Sequence, residues 1–261
     1  MIAAAITSYR DHAVLANGDK WGVPVAFATP ESKQYAVRCT RYCDAPMVKF
    51  RIPPGTVPAA GSDHHLAVID FGHGGARELD LWKASYDAAT DSWSAQTVVV
   101  NAVRGSGASC PEHRHCNGAV AAGFALLGGV VWPHELKSGH IDHALALTTP
   151  LTRRAEIACP ATHTDGKTDL PGAIPEGARL QLDPLFDVDA QPWPAWKKTI
   201  AKALQRYGAY VVDTSGALAI RGVSDINLRD NRWADSGTPT QASLSDLPWE
   251  HMRVLLLRSC N

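Results

Sequence analysis

Glu78, Asp80 and Trp82 occupy alternate positions in ELDLW, and Asp63 and His65 do the same upstream in SDHHL. In a strand, alternate side chains share a face. Such a face would hold three carboxyl groups, an imidazole and an indole together. Cleavage of a glycosidic bond needs one carboxyl group that holds a proton and one that stays ionised, about 5–10 Å apart on a rigid surface. Strand positions i and i+2, such as Glu78 and Asp80, are roughly 6–7 Å apart. Asp63 is a third candidate carboxylate, and His65 can shift a neighbour's proton affinity through its own charge. Trp82 offers a flat surface on which a pyranose ring can stack.

A hairpin would position these residues. Residues 64–70 and 77–84 read as two strands, and Gly72, Gly74 and Gly75 between them permit the positive φ of a tight turn. A turn centred on Gly74 sets Leu66 opposite Leu81 and His65 opposite Trp82. Leu66, Val68, Leu79 and Leu81 then form a core face, which supports that register. Asp63, His65, Ala67, Ile69, Glu78, Asp80 and Trp82 fall on the other face, expected to be a polar sheet surface.

The rest of the chain is punctuated by 17 prolines and 21 glycines, with little long helical periodicity. Further strands are expected over Val23–Ala28 and residues 34–39, 48–52, 92–103, 141–148, 155–159 and 178–182. Residues 209–212 and 217–221 read as a second hairpin, and residues 252–257 as a final strand. Residues 119–131, AVAAGFALLGGVV, fit either a buried helical turn or a strand. Pro133–Ser138 reads as a short helix closed by Gly139. Residues 194–207 form the one strong amphipathic helix. Trp196, Ile200, Leu204 and Tyr207 line one side, Lys197, Lys198, Lys202 and Arg206 face water, and Gly208 ends it. The expected architecture is mainly β: one domain over residues 1–261, a two-sheet antiparallel sandwich or jelly roll with two helices.

Composition excludes several function classes. A net charge of −1 exerts no global pull on nucleic acid or an anionic membrane. No apolar run is long enough to insert into a membrane. There is no GxGxxG or GxxxxGK[ST] phosphate cradle, no GxSxG elbow and no HExxH helix. The opening MIAAAITSYRDHAV turns polar too soon for a signal peptide, and we expect it to follow a signal that has been removed. Six cysteines point to an oxidising compartment. Proximity pairs Cys39 with Cys43, Cys110 with Cys116 and Cys159 with Cys260, one choice among fifteen. The CPEHRHC loop carries zinc-ligand residue types, but its spacing matches no closed zinc motif, and a disulfide-closed loop is expected instead. Eight tryptophans exceed what the core needs, as in proteins that stack sugars on exposed indoles.

Two resemblances add to this reading. The ELD segment is similar to the ExDxxE strand of laminarinase-type glycoside hydrolases with a concanavalin-like sandwich. Trp82 and Lys83 fill the end of that motif, where a second glutamate should stand, so the likeness is one of fold and surface. WGVP, GSDHHLAVID, ELDLWKA, GHIDHALAL, PATH, GAIPEGARLQLDP and ALQRYGAYVVDTSG together resemble a widespread, uncharacterised group of secreted bacterial β-rich domains. That resemblance implies an extracellular setting. It also implies a shared pattern of Asp63, His65, Asp80, His143, His163, Arg179, Tyr207 and Asp213, and so favours Asp80 over Glu78.

The expected function is therefore a secreted enzyme that cleaves a polysaccharide or oligosaccharide, a glycoside hydrolase before a polysaccharide lyase. Asp63 and Asp80 are the expected carboxylates, with His65 and His143 handling or orienting protons. His143 lies on an otherwise apolar stretch, where it either bonds backbone or reaches a cleft. Glu78, Trp82, His163, Arg179 and Tyr207 are expected to contact substrate, Arg179 by neutralising a uronic acid. A lyase would use His65 or His143 with Tyr207. No motif calls for a catalytic metal or other cofactor; a structural calcium ion is the one the acidic residues would suit. The alternatives are a lectin-like binding module and a structural domain, in which the same face is a sugar-binding or plain hydrogen-bonded surface.

Overall fold

A computed structural model describes residues 2–72, 75–105, 107–108 and 118–255. The CPEHRHC loop, Gly74 and the end of the final strand lie outside them. The N-terminal part holds α1 (Ile2–Thr7), β1 (Val14–Ala16), β2 (Val23–Ala28), β3 (Gln34–Tyr42) and β4 (Met47–Arg51). It continues with β5 (Leu66–Asp70), β6 (Arg77–Trp82), β7 (Ser85–Asp87) and β8 (Ser92–Ala102). After α2 (Pro133–Ser138) come β9 (Leu145–Thr149), β10 (Thr152–Ile157), β11 (Ile174–Glu176) and β12 (Arg179–Leu182). The chain then forms α3 (Ala195–Arg206), β13 (Ala209–Thr214), β14 (Ala219–Arg221), β15 (Val223–Ser224) and β16 (Met252–Val254).

These strands build two large sheets, a mainly β sandwich with few helices. One sheet runs β1-β14-β9-β13-β12-β16, the other β15-β2-β5-β6-β8-β3-β4 with β7 on the flank of β8. Both are mixed rather than antiparallel throughout. β2 pairs β5, β3 pairs β8 and β13 pairs β9 in parallel, because intervening strands return the chain before each pair forms. The larger sheet curls over itself. The long strand β8 pairs β6 through its second half and β3 and β7 through its first. At the far edge of that sheet, Arg51 of β4 reaches back to Asp70 of β5 at 3.1 Å.

The β5–β6 hairpin has the expected register, with Leu66 opposite Leu81 and Val68 opposite Leu79. These four side chains are fully buried inside the curl with Val37, Phe50 and Ile52. The opposite face is not a sheet surface. Ala67 and Ile69 belong to the core between the sheets, while Asp80 and Glu78 are buried there too. The 118–131 segment covers them. It is neither helix nor strand, and is stitched down by backbone bonds such as Ala122 N–H to the Val212 carbonyl at 3.1 Å.

The helices follow their sequence signals. α2 ends where Gly139 takes φ +75, and Glu135 Oε2 accepts the Trp132 backbone N–H at 2.7 Å across its first turn. α3 buries Trp196, Ile200 and Leu204 and stops at Gly208, φ +70. Lys197 departs from the expected water-facing stripe: its stem is buried and its ammonium bonds Asp246 at 2.5 Å. β13 and β14 are not a hairpin. β9 lies between them, parallel to β13 and antiparallel to β14, with Leu147 beside both Val211 and Ile220. Alternation marks the strands but not their neighbours, and an apolar third strand with the same period fits between.

Cys39 and Cys43 form the expected disulfide. Cys159 is also disulfide-bonded, and there is no free cysteine among the described residues; the expected Cys110–Cys116 pairing and Cys260 lie outside them. No helix among them is long and apolar enough to cross a membrane.

Candidate functional site

The strand registers of the smaller sheet sort its two faces. Leu15, Ile220, Leu147 and Val211 align across β1, β14, β9 and β13 and are all fully buried. The flanking positions Val14, Ala16, Ala219, Arg221 and Thr148 point the other way. Asp213 joins them through a β-bulge. Val211 pairs Leu147 but Asp213 pairs Thr148, so Val212 is an extra residue that turns Asp213 to the second face. These side chains line a cleft of about 770 Å³, and Asp63, His65, Lys20 and Trp21, which precede β5 and β2, form its opposite wall. The cleft therefore sits between the sheets, with the half-exposed Trp21 indole on its wall.

Charges in the cleft are tightly interlocked. Arg221 is buried, which weakens its hold on its proton, while Asp213, Asp63 and Asp80 around it oppose that effect. Burial pushes Asp213 up to about 7, against the pull of Arg221 and with help from Asp165 and Asp63. His65 is driven down to about 3, first by burial and then by Arg221. It is thus a neutral imidazole whose Nε2, 3.0 Å from the Ala119 carbonyl, acts as the donor. Asp63 accepts the Trp82 indole N–H at 3.3 Å and lies 3.8 Å from the Lys83 ammonium.

Beside Asp213, just off the cleft wall, stand Asp165 and Glu176. One carboxylate oxygen from each of the three lies within 4.8 Å of the others. Glu176 is fully buried at the end of β11, and burial followed by Asp165 and Asp213 pushes it up to about 9. The next residue, Gly177, takes φ +85, where a Cβ would collide with the Ala158 carbonyl, and its N–H bonds the Val211 carbonyl at 2.8 Å. Only glycine fits there, and it fixes where Glu176 points. The Thr214 hydroxyl donates to Asp165, with the Thr152 hydroxyl 2.5 Å away.

The sequence-derived candidates divide between several places. Asp63 and His65 come together in the cleft, and Trp82 holds Asp63 from behind. Asp80 lies beneath it, near enough for Arg221 to feel its charge, but its Oδ2 is taken by Asn101 Nδ2 at 2.6 Å and the Leu126 N–H at 2.9 Å. Glu78 Oε1 accepts the Leu127 N–H at 2.8 Å. Both carboxyl groups thus fasten the 118–131 segment to the sheet. Burial raises both, Asp80 well above the usual carboxylate range, with Glu78 beside it adding to the effect. Glu78 and His143 line a second, more apolar cleft of about 460 Å³ with Phe124, Trp132 and Tyr210.

His143 precedes β9 rather than lying within it, and its Nε2 is 2.8 Å from Glu135. Burial opposes its protonation, but that carboxylate and the Ala144 carbonyl at 3.0 Å outweigh burial and raise it. Arg179 Nε donates to the Tyr207 carbonyl at 2.6 Å, and the Tyr207 hydroxyl reaches Asp142 at 3.2 Å. Neither lines a described cleft. His163 is half-buried beside Thr162, two residues before Asp165. Arg221, Glu176 and Asp165 were not among the site residues read from sequence. The signal for Arg221 and Glu176 is a charged residue inside an apolar run, ALAIRGV and GAIPEGA, whereas Asp165 lies in a polar stretch, THTDGKT, and carries no such signal.

No family model matches the chain, and comparison with curated proteins and with solved structures finds no similar protein.

Proposed function

We propose that this protein is a secreted carbohydrate-active enzyme, a glycoside hydrolase that acts in the cleft between the sheets with Asp63 and Asp213 as its two carboxyl groups. The observation that carries this reading is the convergence of Asp213, on β13 of one sheet, and Asp63, just before β5 of the other, around Arg221 in a cleft with an exposed tryptophan. Hydrolysis of a glycosidic bond needs a carboxyl pair on a rigid frame, and an indole suits the apolar face of a sugar ring. Asp63, with the Lys83 ammonium close by, is placed to be the charged partner. Arg221 orients the pair and is buried among carboxyl groups.

Hydrolysis is favoured over elimination by where the proton-handling groups lie. Tyr207 and His143 are outside this cleft, and His65 is held neutral against a carbonyl. Arg221 is already shared among three carboxyl groups, which leaves little to neutralise a uronate. Disulfide-bonded Cys39, Cys43 and Cys159 support an oxidising, extracellular setting.

The test is reducing-end release from a panel of neutral and uronate-containing polysaccharides, with Asp63→Asn and Asp213→Asn in parallel. Cleavage by the wild-type protein and a loss of at least about 100-fold in each variant is expected. Glycan binding without turnover would instead mark a binding module, and unsaturated products absorbing in the ultraviolet would mark a lyase.

A further inference from the structure

Asp165, Glu176 and Asp213 come from three separate elements: the segment after β10, the end of β11 and the bulged end of β13. Carboxyl groups repel when crowded, so such a meeting needs something between them. The molecule holds another crowded acidic pair, Glu78 and Asp80, which is a useful control. That pair has three N–H donors, on Asp80 Oδ2 and Glu78 Oε1; Asp80 Oδ1 has no hydrogen-bond partner of its own but stands beside Glu78, where one proton shared between two carboxyl groups can satisfy it. The trio has three carboxyl groups, and its donors are the hydroxyls of Thr214 and Thr164 and the Thr214 backbone N–H on Asp213.

Glu176 is fully buried, and its Oε2 has no hydrogen-bond partner. Ion pairs among the described residues form elsewhere, as at Asp70, Asp246 and Asp225, and none includes a member of the trio. Arg221, beside Asp213, is shared with Asp63 and Asp80. A proton between Glu176 and Asp165 would leave the third carboxylate facing them.

We propose that Asp165, Glu176 and Asp213 bind a hard divalent cation, calcium before magnesium or manganese, at the side of the cleft. The donors are all oxygens, which selects hard cations over zinc or copper. One oxygen from each lies within 4.8 Å of the others, close enough for a single ion to reach all three. Calcium comes first because it accepts irregular sets of about six to eight oxygens, whereas magnesium demands a near-ideal octahedron and gives up its waters reluctantly. Asp165 is exposed and Asp213 faces the cleft, so water or a substrate hydroxyl can complete the shell. The cation would tie the loop carrying Asp165 to the two strands. Its site does not depend on the carbohydrate reading, but an ion bound there would keep Asp213 ionised, so if both readings hold, calcium should inhibit cleavage rather than support it.

The whole protein, stripped with chelator and returned to neutral buffer, is titrated separately with calcium, magnesium and manganese chlorides by calorimetry and thermal melting. One calcium per chain, a melting temperature raised by several degrees at millimolar calcium and weaker magnesium binding are expected. Glu176→Gln and Asp165→Asn should each weaken calcium at least tenfold. Asp165 is exposed, so its variant stays informative even if the buried change impairs folding. Absence of heat and of any melting shift with all three cations would overturn the proposal in favour of a shared proton. Equal calcium affinity in wild type and both variants would overturn it too, by placing the ion elsewhere. No glycan is present in these titrations, so their failure leaves the hydrolase reading untouched. Loss of cleavage with calcium binding intact has the converse meaning.

Discussion

Glu78 with Asp80, and Glu176 with Asp213 and Asp165, are two acidic groups built around fully buried carboxyls but kept in unlike company. At Glu78 and Asp80, backbone and amide N–H groups bond Glu78 Oε1 and Asp80 Oδ2, and the carboxyl groups end up as fasteners for an overlying segment. At Asp213, Glu176 and Asp165 the donors are few, and one member opens on a cleft shared with Asp63 and Trp21. Burial raises the proton affinity of Glu78, Asp80, Glu176 and Asp213 alike. A raised carboxyl group is thus no mark of function by itself. Each place also keeps one buried oxygen without a partner, Asp80 Oδ1 and Glu176 Oε2; what separates them is the number of carboxyl groups that meet and whether one of them opens on the cleft.

Mutation should separate them as well. Asp213→Asn is expected to lower glycan cleavage by about 10²–10⁴-fold, the range for loss of a proton-handling group, with a melting temperature close to wild type. Asp80→Ala should do the reverse. It strands Asn101 Nδ2 and the Leu126 N–H in the interior, at a cost of about 2–4 kcal/mol from two unsatisfied donors. Urea denaturation measures that loss, and activity per folded molecule should stay within a few-fold of wild type. Comparable losses of activity in both variants, at equal folded fraction, would erase the distinction.

Glu78 and Asp80 are legible in the sequence, whereas of the trio only Asp213 is marked there, through a family resemblance, and the reasons are physical. ELDLW announces Glu78 and Asp80 because alternation is visible along a strand, and it also sets Leu66 against Leu81. What alternation cannot show is that AVAAGFALLGGVV lies over that face. That stretch has neither a helical nor a strand period, and it packs as irregular chain. The bulge at Val212 is equally hidden, since an extra residue changes which side Asp213 faces without changing the composition of YVVDT. Arg221 and Glu176 look like strand residues in apolar runs until the second sheet is laid across them. His143 was placed on a strand face because IDHALALT alternates, yet the ladder begins only at Leu145.

The fastener pair also predicts a pH dependence. Glu78 and Asp80 sit above their ordinary values of 4.5 and 3.8 in the folded protein, chiefly through burial. The folded state therefore holds their protons after the unfolded chain has released them, and stability falls as pH rises from those ordinary values through the raised ones. Glu78→Gln keeps an oxygen for the Leu127 N–H but removes one titrating group and its charge beside Asp80. Melting temperatures taken from pH 4 to pH 8 should fall less steeply in the variant than in wild type. Every other titrating group is common to both proteins, so the difference between the curves reports on the pair. Parallel curves would mean that it carries no pH-dependent strain.

The smallest expected effect lies between the two places. Trp82 follows the fastener residues on β6 and donates its indole N–H to Asp63, while its ring lies 6.0 Å from that of Tyr42. It belongs to the hairpin by sequence and to the cleft by hydrogen bonding. Trp82→Phe keeps much of the ring packing and removes the donor. At 3.3 Å and half-buried, that bond contributes about 0.5–1.5 kcal/mol, corresponding to about a 2- to 12-fold change if it acts wholly on a transition state. If the indole only packs, the variant should melt slightly lower and cleave at the wild-type rate. If it holds Asp63 in place, kcat should fall a few-fold with KM nearly unchanged, because positioning a carboxylate for chemistry alters the transition state more than substrate binding. The second pattern is expected, since the Lys83 ammonium that also pairs with Asp63 stands 3.8 Å away, beyond hydrogen-bond reach.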